Sequence, residues 1–198
     1  MLEVETPSGL ARVRLHVAEE PRGALVLGHG AGGGVDAPDL AAATEVALGE
    51  RFSVALVEQP YRVAWRRSPA PAPRLDEAWT AVVERLREAE LRGLPLVVGG
   101  RSAGARVACR TAAGTGAVAV LCLAFPVHAP GRPEKTREDE LDAVELPVLV
   151  VQGESDPFGM PAEGANRRVV TVPGNHSLKA DLDAVRAAVR SWLAELGA

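Results

Sequence analysis

A mostly parallel β-sheet covered by helices on both faces is the fold this sequence predicts, and two observations carry it. Short apolar runs alternate along the chain with longer helical stripes, which is the signature of strand–helix–strand units. The connections between them are short, and no internal repeat interrupts the alternation. In order, the first strand is expected at Val13–Ala18 and the second at Gly23–Gly28, where Ala24 to Leu27 is continuously apolar. A helix follows at Ala37–Gly49, then a strand at Ser53–Glu58. The next helix, Asp76–Leu91, sets Ala78, Val82, Leu86 and Ala89 on one stripe and turns Glu84, Arg87 and Glu88 to water. The run Leu94 to Val98 gives a strand at Leu94–Gly99, and the Ala-rich stretch after it a helix at Ser102–Ala113. Strands at Ala117–Ala124, Pro147–Gln152 and Arg168–Val172, with helices at Glu134–Leu141 and Leu178–Leu196, complete about seven strands.

The chemistry concentrates just past the ends of these strands. Gly100-Arg101-Ser102-Ala103-Gly104 is a GxSxG sequence between a strand and a helix, the setting of a nucleophile elbow. Small residues at both ends let the backbone turn sharply and leave the Ser102 hydroxyl exposed at a helix N-terminus, which favours developing negative charge. Serine is a poor nucleophile at neutral pH and needs a base, which in turn needs an orienting carboxylate. Asp156, in Gly153-Glu154-Ser155-Asp156-Pro157, follows the strand ending at Gln152. His176, in Gly174-Asn175-His176-Ser177, follows the strand ending at Val172. Both are expected to emerge at the same sheet edge as Ser102. Upstream, the second strand ends in Gly28-His29-Gly30-Ala31-Gly32-Gly33-Gly34, whose backbone can approach a ligand closely. In an acyl-transfer site this loop supplies one oxyanion-hole amide, from Ala31, and Ala103 the other. As a phosphate loop it is less convincing, since it lacks GxGxxG order and no Lys-Ser/Thr pair follows.

In these motifs the chain resembles the α/β-hydrolases, whose order of serine, acid and histidine it shares. It looks similar to the NSL-complex subunit 3 and testis-expressed protein 30-like group, and more distantly to dienelactone hydrolases. The stretches that match are GHGAGG at 28–33, GGRSAGARVA at 99–108, FPVHAPGRPEKTREDEL at 125–141, VQGESDPFG at 151–159 and GNHSL at 174–178. The resemblance implies a hydrolase scaffold of the α/β-hydrolase fold, and the short connections leave no room for a large cap domain. Dienelactone hydrolases use cysteine where this chain has Ser102, which argues against carrying over their substrate.

Each candidate also has a structural reading. Ser102 could serve as the N-cap of its helix, Asp156 as a turn former before Pro157 with Glu154 its nearest rival, and His176 as a packing residue of the last helix. His29 is expected to brace the oxyanion loop beside Gly30. Arg101 could attract a substrate carboxylate or pair with a neighbouring acid, and Arg106 is expected to help order the same region.

Two connections leave the carboxyl edge of the sheet, where open α/β sheets bind ligands. In the first, residues 59–74, the prolines favour an extended path, and Tyr61 or Trp65 could wall a pocket or merely pack the loop down. The second, residues 125–137, is either a short flap in which Pro126 and His128 reach substrate or a solvated connection.

The 198 residues, 47% apolar and with no long polar tract, suit one domain over 1–198. A formal charge of −4 without a concentrated basic patch argues against nucleic acid as the main partner. No basic start with an apolar h-region and no bilayer-length apolar run is present, so a membrane role is not expected and cytoplasmic residence is. Cys109 and Cys122 suit a reducing compartment as small core residues. No spacing makes a convincing metal site, and no cofactor is expected. The expectation is therefore a serine hydrolase, monomeric or homodimeric, acting on a small-molecule ester or thioester. A scaffold that kept the fold, or a peptidase or acyltransferase using the same residues, is the alternative.

Overall fold

One eight-stranded sheet organises the chain. In sequence the elements are β1 (Leu2–Thr6), β2 (Gly9–His16), β3 (Gly23–Gly28), α1 (Pro38–Gly49), β4 (Phe52–Glu58), α2 (Pro60–Val63), α3 (Ala72–Glu88), β5 (Leu96–Arg101), α4 (Ala103–Thr115), β6 (Ala119–Leu123), α5 (Glu138–Asp142), β7 (Val148–Gly153), β8 (Arg167–Val172) and α6 (Leu182–Glu195). The computed structural model describes residues 1–196. The last two residues of the domain expected over 1–198, and of nothing else expected, lie outside the described residues.

The strand order is β1-β2-β4-β3-β5-β6-β7-β8. β1 and β2 form an antiparallel hairpin laid antiparallel on β4, and every pairing from β4 to β8 is parallel. Every residue of β3, β6 and β7 is buried, as strands covered on both faces must be. One face packs on α3 and α4 through Trp79, Val82, Leu86, Ala105 and Ala108, the other on α1 and α6 through Leu40, Val46, Val189 and Leu193. The two helix layers and the parallel sheet are those of an α/β-hydrolase fold. No cap domain is inserted among the described residues.

Several boundaries differ from the sequence expectation. The sheet gains β1, whose Leu2 and Val4 alternate with exposed Glu3 and Glu5. The Thr6 hydroxyl closes its turn, donating to Gly9 O at 2.6 Å and accepting from the Ser8 N–H at 3.2 Å. Helix α3 starts at Ala72, ahead of Asp76, because prolines at the first turn of a helix give up no hydrogen bond. With α2 also formed, the extended path expected of residues 59–74 shrinks to the segment between these helices. Ala89 has left the helix and is exposed, while Trp79 adds the largest buried side chain of α3. α5 begins at Glu138 after an exposed stretch, and α6 begins after Asp181, whose carboxylate accepts the Ala184 N–H at 2.9 Å.

The parallel strands point the same way, so β3, β5, β7 and β8 all deliver their following residues to one edge. Between β3 and β5 the chain order reverses, and the crevice of an open α/β sheet lies at such a switch point.

Candidate active site

Ser102 sits at the break between β5 and α4 with φ 53° and ψ −110°, a conformation that non-glycine residues adopt only under strain. Its N–H bonds Leu123 O at 2.9 Å, which ties the turn to the end of β6. The tightness of the turn explains the flanking glycines. A Cβ on Gly100 would stand 2.5 Å from Gly28 O, and one on Gly104 would collide with the same carbonyl. Helix α4 thus packs directly against the backbone of β3, where no side chain fits.

The Ser102 hydroxyl makes no capping bond to its own helix. Its Oγ lies instead 2.9 Å from His176 Nε2, and His176 Nδ1 lies 2.8 Å from Asp156 Oδ2. An ionised carboxylate only accepts, so Nδ1 carries the proton toward Asp156 and Nε2 is left to accept from the hydroxyl. The Asp156 side chain is fully buried and that of His176 is 16% exposed. Asp156 Oδ1 takes the Phe158 N–H at 2.8 Å, and the Phe158 ring stacks on the imidazole with centroids 4.0 Å apart. Glu154, the rival acid, is exposed on the same loop.

The glycine-rich loop after β3, residues 28–34, lies beside the hydroxyl. A Cβ on Gly30 would come within 3.6 Å of Ser102 Cβ and 2.8 Å of Arg101 Nη1, so this position accepts only glycine without displacement. His29 is buried and bridges outward from the loop: its Nδ1–H donates to Gly30 O at 2.8 Å, and its Nε2 accepts the Gln59 N–H at 3.1 Å. Burial pushes its pKa below the ordinary 6.5, so the imidazole is neutral at pH 7 and one tautomer satisfies both partners. Tyr61 stands behind the loop, donating its hydroxyl proton to Ala31 O at 3.1 Å. Neither the Ala31 nor the Ala103 amide has an acceptor among the described residues.

Arg101 pairs with an acid of the protein. Its Nε stands 2.9 Å from Oδ2 of Asp39, a wholly buried residue in the first turn of α1, and its Nη2 donates to His176 O at 3.0 Å. The Nε approach is too oblique for a hydrogen bond, so the pairing is chiefly Coulombic. Burial raises the Asp39 pKa and the Arg101 charge works against that rise. The guanidinium so links α1, the glycine-rich loop after β3 and the histidine loop. Arg106 likewise finds a partner, with Nη2 and Nε 2.5 and 2.8 Å from the Glu140 carboxylate on α5.

The remaining candidates stand apart from the relay. Trp65 is 87% exposed and forms no pocket wall, contrary to one of its two expected roles, nor does it pack its loop down. His128 is half-buried with Nδ1–H donating to Ala129 O at 2.9 Å, and its ring lies against Gly159. Pro126 is buried, its carbonyl 3.4 Å from Arg137 Nη1. The tip of that connection, residues 130–136, is exposed, which fits the solvated reading. Cys109 and Cys122 are buried free thiols with sulfurs 3.5 Å apart. Among the described residues no helix is long and apolar enough to cross a membrane.

Sequence reasoning missed Asp39, Phe158 and Gln152. Asp39 carried a signal, since an acid inside the apolar pattern of α1 needs a buried partner.

The fold and this edge constellation define an α/β-hydrolase. Residues 21–183 match the family described as the alpha/beta hydrolase domain, and the chain belongs to that family. Solved structures agree in fold. A serine hydrolase without a lid from Xanthomonas campestris is 20% identical at a TM-score of 0.80, covering 98% of this chain and 93% of its own. Est1E from Butyrivibrio proteoclasticus, with ferulic acid bound, is 18% identical at 0.82, covering 98% of each. A dienelactone hydrolase from Anabaena variabilis is 17% identical at 0.76, covering 98% and 95%.

Proposed function

We propose that this chain is a serine hydrolase cleaving a small ester or thioester, with Ser102 as nucleophile, His176 as general base and Asp156 as its orienting acid. The observation that carries the reading is the unbroken run of hydrogen bonds from Ser102 Oγ to His176 Nε2 and from Nδ1 to Asp156 Oδ2, at 2.9 and 2.8 Å. Such spacing meets the geometric requirement for proton transfer from nucleophile to base.

His176 takes the hydroxyl proton as Oγ attacks the acyl carbon, and the carbonyl π electrons move onto oxygen. The Ala31 and Ala103 amides receive that oxyanion, each such donor being worth roughly a hundredfold or more in rate. Collapse expels the alcohol or thiol, which leaves with the proton from His176. Water then repeats the sequence on the acyl-enzyme and releases the acid. Asp156 stabilises the imidazolium in both halves, and no cofactor takes part. The lack of an inserted cap domain among the described residues favours a small or slender substrate over a bulky lipid. His29, Gly30, Tyr61 and Arg101 act by holding the loops in place. The chain acts as a single cytoplasmic domain that resembles the NSL-complex subunit 3 and testis-expressed protein 30-like group.

A fluorophosphonate probe tests the assignment. It should label the native protein at Ser102 and leave Ser102→Ala unlabelled, whereas a scaffold with an inert serine would stay unlabelled in both. Ester, thioester and amide panels then sort esterase from peptidase and acyltransferase. Because Est1E binds ferulic acid, cinnamate-type esters belong in the panel. Label on another residue, or turnover of amides alone, would count against the proposal.

A further inference from the structure

Gln152 is the last side chain before the turn that carries Asp156, and it is fully buried at the carboxyl end of β7. Burying a primary amide in a strand of valines and leucine is unfavourable unless its polar atoms are used. Here one end is used fully. Nε2 lies 2.9 Å from Asp156 Oδ2, 3.0 Å from Phe125 O and 2.8 Å from Gly159 O, while Oε1 has no partner. Two amide protons therefore serve three acceptors. A flipped amide would point its oxygen at two carbonyls and a carboxylate, so the acceptors themselves fix which way the group faces.

We propose that Gln152 is a positioning residue for the acid of the relay, its side-chain amide holding Asp156 Oδ2 in line with His176 Nδ1. The inference rests on the triad reading above. Its geometric basis is that Oδ2 is the oxygen facing His176, and Gln152 is the other group bonded to it. Oδ1 is held separately by the Phe158 N–H, so the carboxylate is fixed at both oxygens and cannot rotate. The same amide reaches the backbone leaving β6 at Phe125 and the backbone at Gly159 beyond the acid. It thereby ties the carboxylate end of the Asp156 turn to the sheet, alongside the backbone bonds from Glu154 N–H to Val172 O and from Ser155 N–H to Gly174 O, both 2.9 Å, while the turn's own bonds, Asp156 N–H to Gly153 O and Gly159 N–H to Asp156 O, both 3.1 Å, fix only its internal shape. A strand-borne anchor is more rigid than a loop-borne one, which suits a group that sets catalytic geometry.

Gln152→Met keeps length and removes both donors. With the triad acting as proposed, kcat for a reactive ester should fall about ten- to a hundredfold, the cost of a displacement of about 1 Å at a catalytic group, with KM unmoved. A residue that only supports the strand would lower thermal stability without that split. The second readout needs no turnover: the low-field proton resonance of His176 Nδ1–H should shift or broaden in Gln152→Met. An unchanged resonance together with unchanged kcat overturns the inference. If the wild-type protein shows no Ser102-dependent labelling, the functional reading fails, yet the resonance still decides whether Gln152 holds the pair. Should Gln152→Met not fold, Asp156→Ala supplies the reciprocal test. The Gln152 side-chain amide protons, shielded from exchange in the wild type, should shift and exchange faster there, and protons indifferent to the loss of the carboxylate overturn the inference equally.

Discussion

Replacing Arg101 with Met tests how far the active-site edge depends on a single buried charge. In the native protein Asp39 is wholly buried and its Oδ2 is 2.9 Å from Arg101 Nε, with the Arg101 side chain 19% exposed. Removing the cation strands a carboxylate that burial already pushes toward its protonated form. Breaking a buried pair from one side costs roughly 3–5 kcal/mol. For a domain of this size even ~3 kcal/mol corresponds to a Tm about 6–12 °C lower. Because the Asp39 pKa is raised on folding, its ionisation works against stability. The penalty is absent below its unfolded value near 3.8 and develops as pH rises through the folded value, further so once Arg101 is gone. Urea unfolding of Arg101→Met at neutral pH should show that loss, and Asp39→Asn in the same chain should restore part of it by removing the stranded charge. The bond to His176 O also disappears, so the double variant should recover stability more than ester turnover. A cost below about 1 kcal/mol, or one indifferent to Asp39→Asn, would refute the reasoning.

Gly104→Ala places a methyl against Gly28 O, where only backbone could yield. Overpacking of this kind costs about 1–3 kcal/mol, and probe labelling should drop with it as the elbow shifts, a result read by unfolding and by labelling rate. His29→Leu should cost about 1–3 kcal/mol through the lost Gly30 O and Gln59 N–H partners. Burial keeps the His29 pKa below 6.5, so its share of stability is present above that pH and is lost as pH falls through the folded value, the unfolded chain taking the proton first. The difference between wild-type and His29→Leu unfolding free energies, followed from pH 8 downward, should therefore shrink below about 6.5.

The shared sheet edge was legible in the residues because apolar runs end immediately before Ser102, before the Asp156 turn and before His176, and parallel strands export their ends to one side. The elbow glycines were legible as a pattern, while their cause, the Gly28 carbonyl across the β3–α4 contact, belongs to tertiary packing. β1 was hidden by its brevity, although Leu2 and Val4 alternate with glutamates before a Pro7-Ser8-Gly9 turn. The Pro-rich segment misled about α3 because a proline that stiffens an extended chain also fits the first turn of a helix. Gln152 and Phe158 act through partners distant in sequence, His176 and Phe125 among them, and no local periodicity marks such contacts.

A crystal structure of the protein after reaction with a small alkyl fluorophosphonate tests the central claim most directly. The account predicts phosphorus bonded to Ser102 Oγ, the His176 imidazole still bonded to Asp156, and a phosphoryl oxygen about 2.7–3.1 Å from the amide nitrogens of Ala31 and Ala103. An adduct on another residue, or one at Ser102 whose oxygen faces away from both amides, would contradict it.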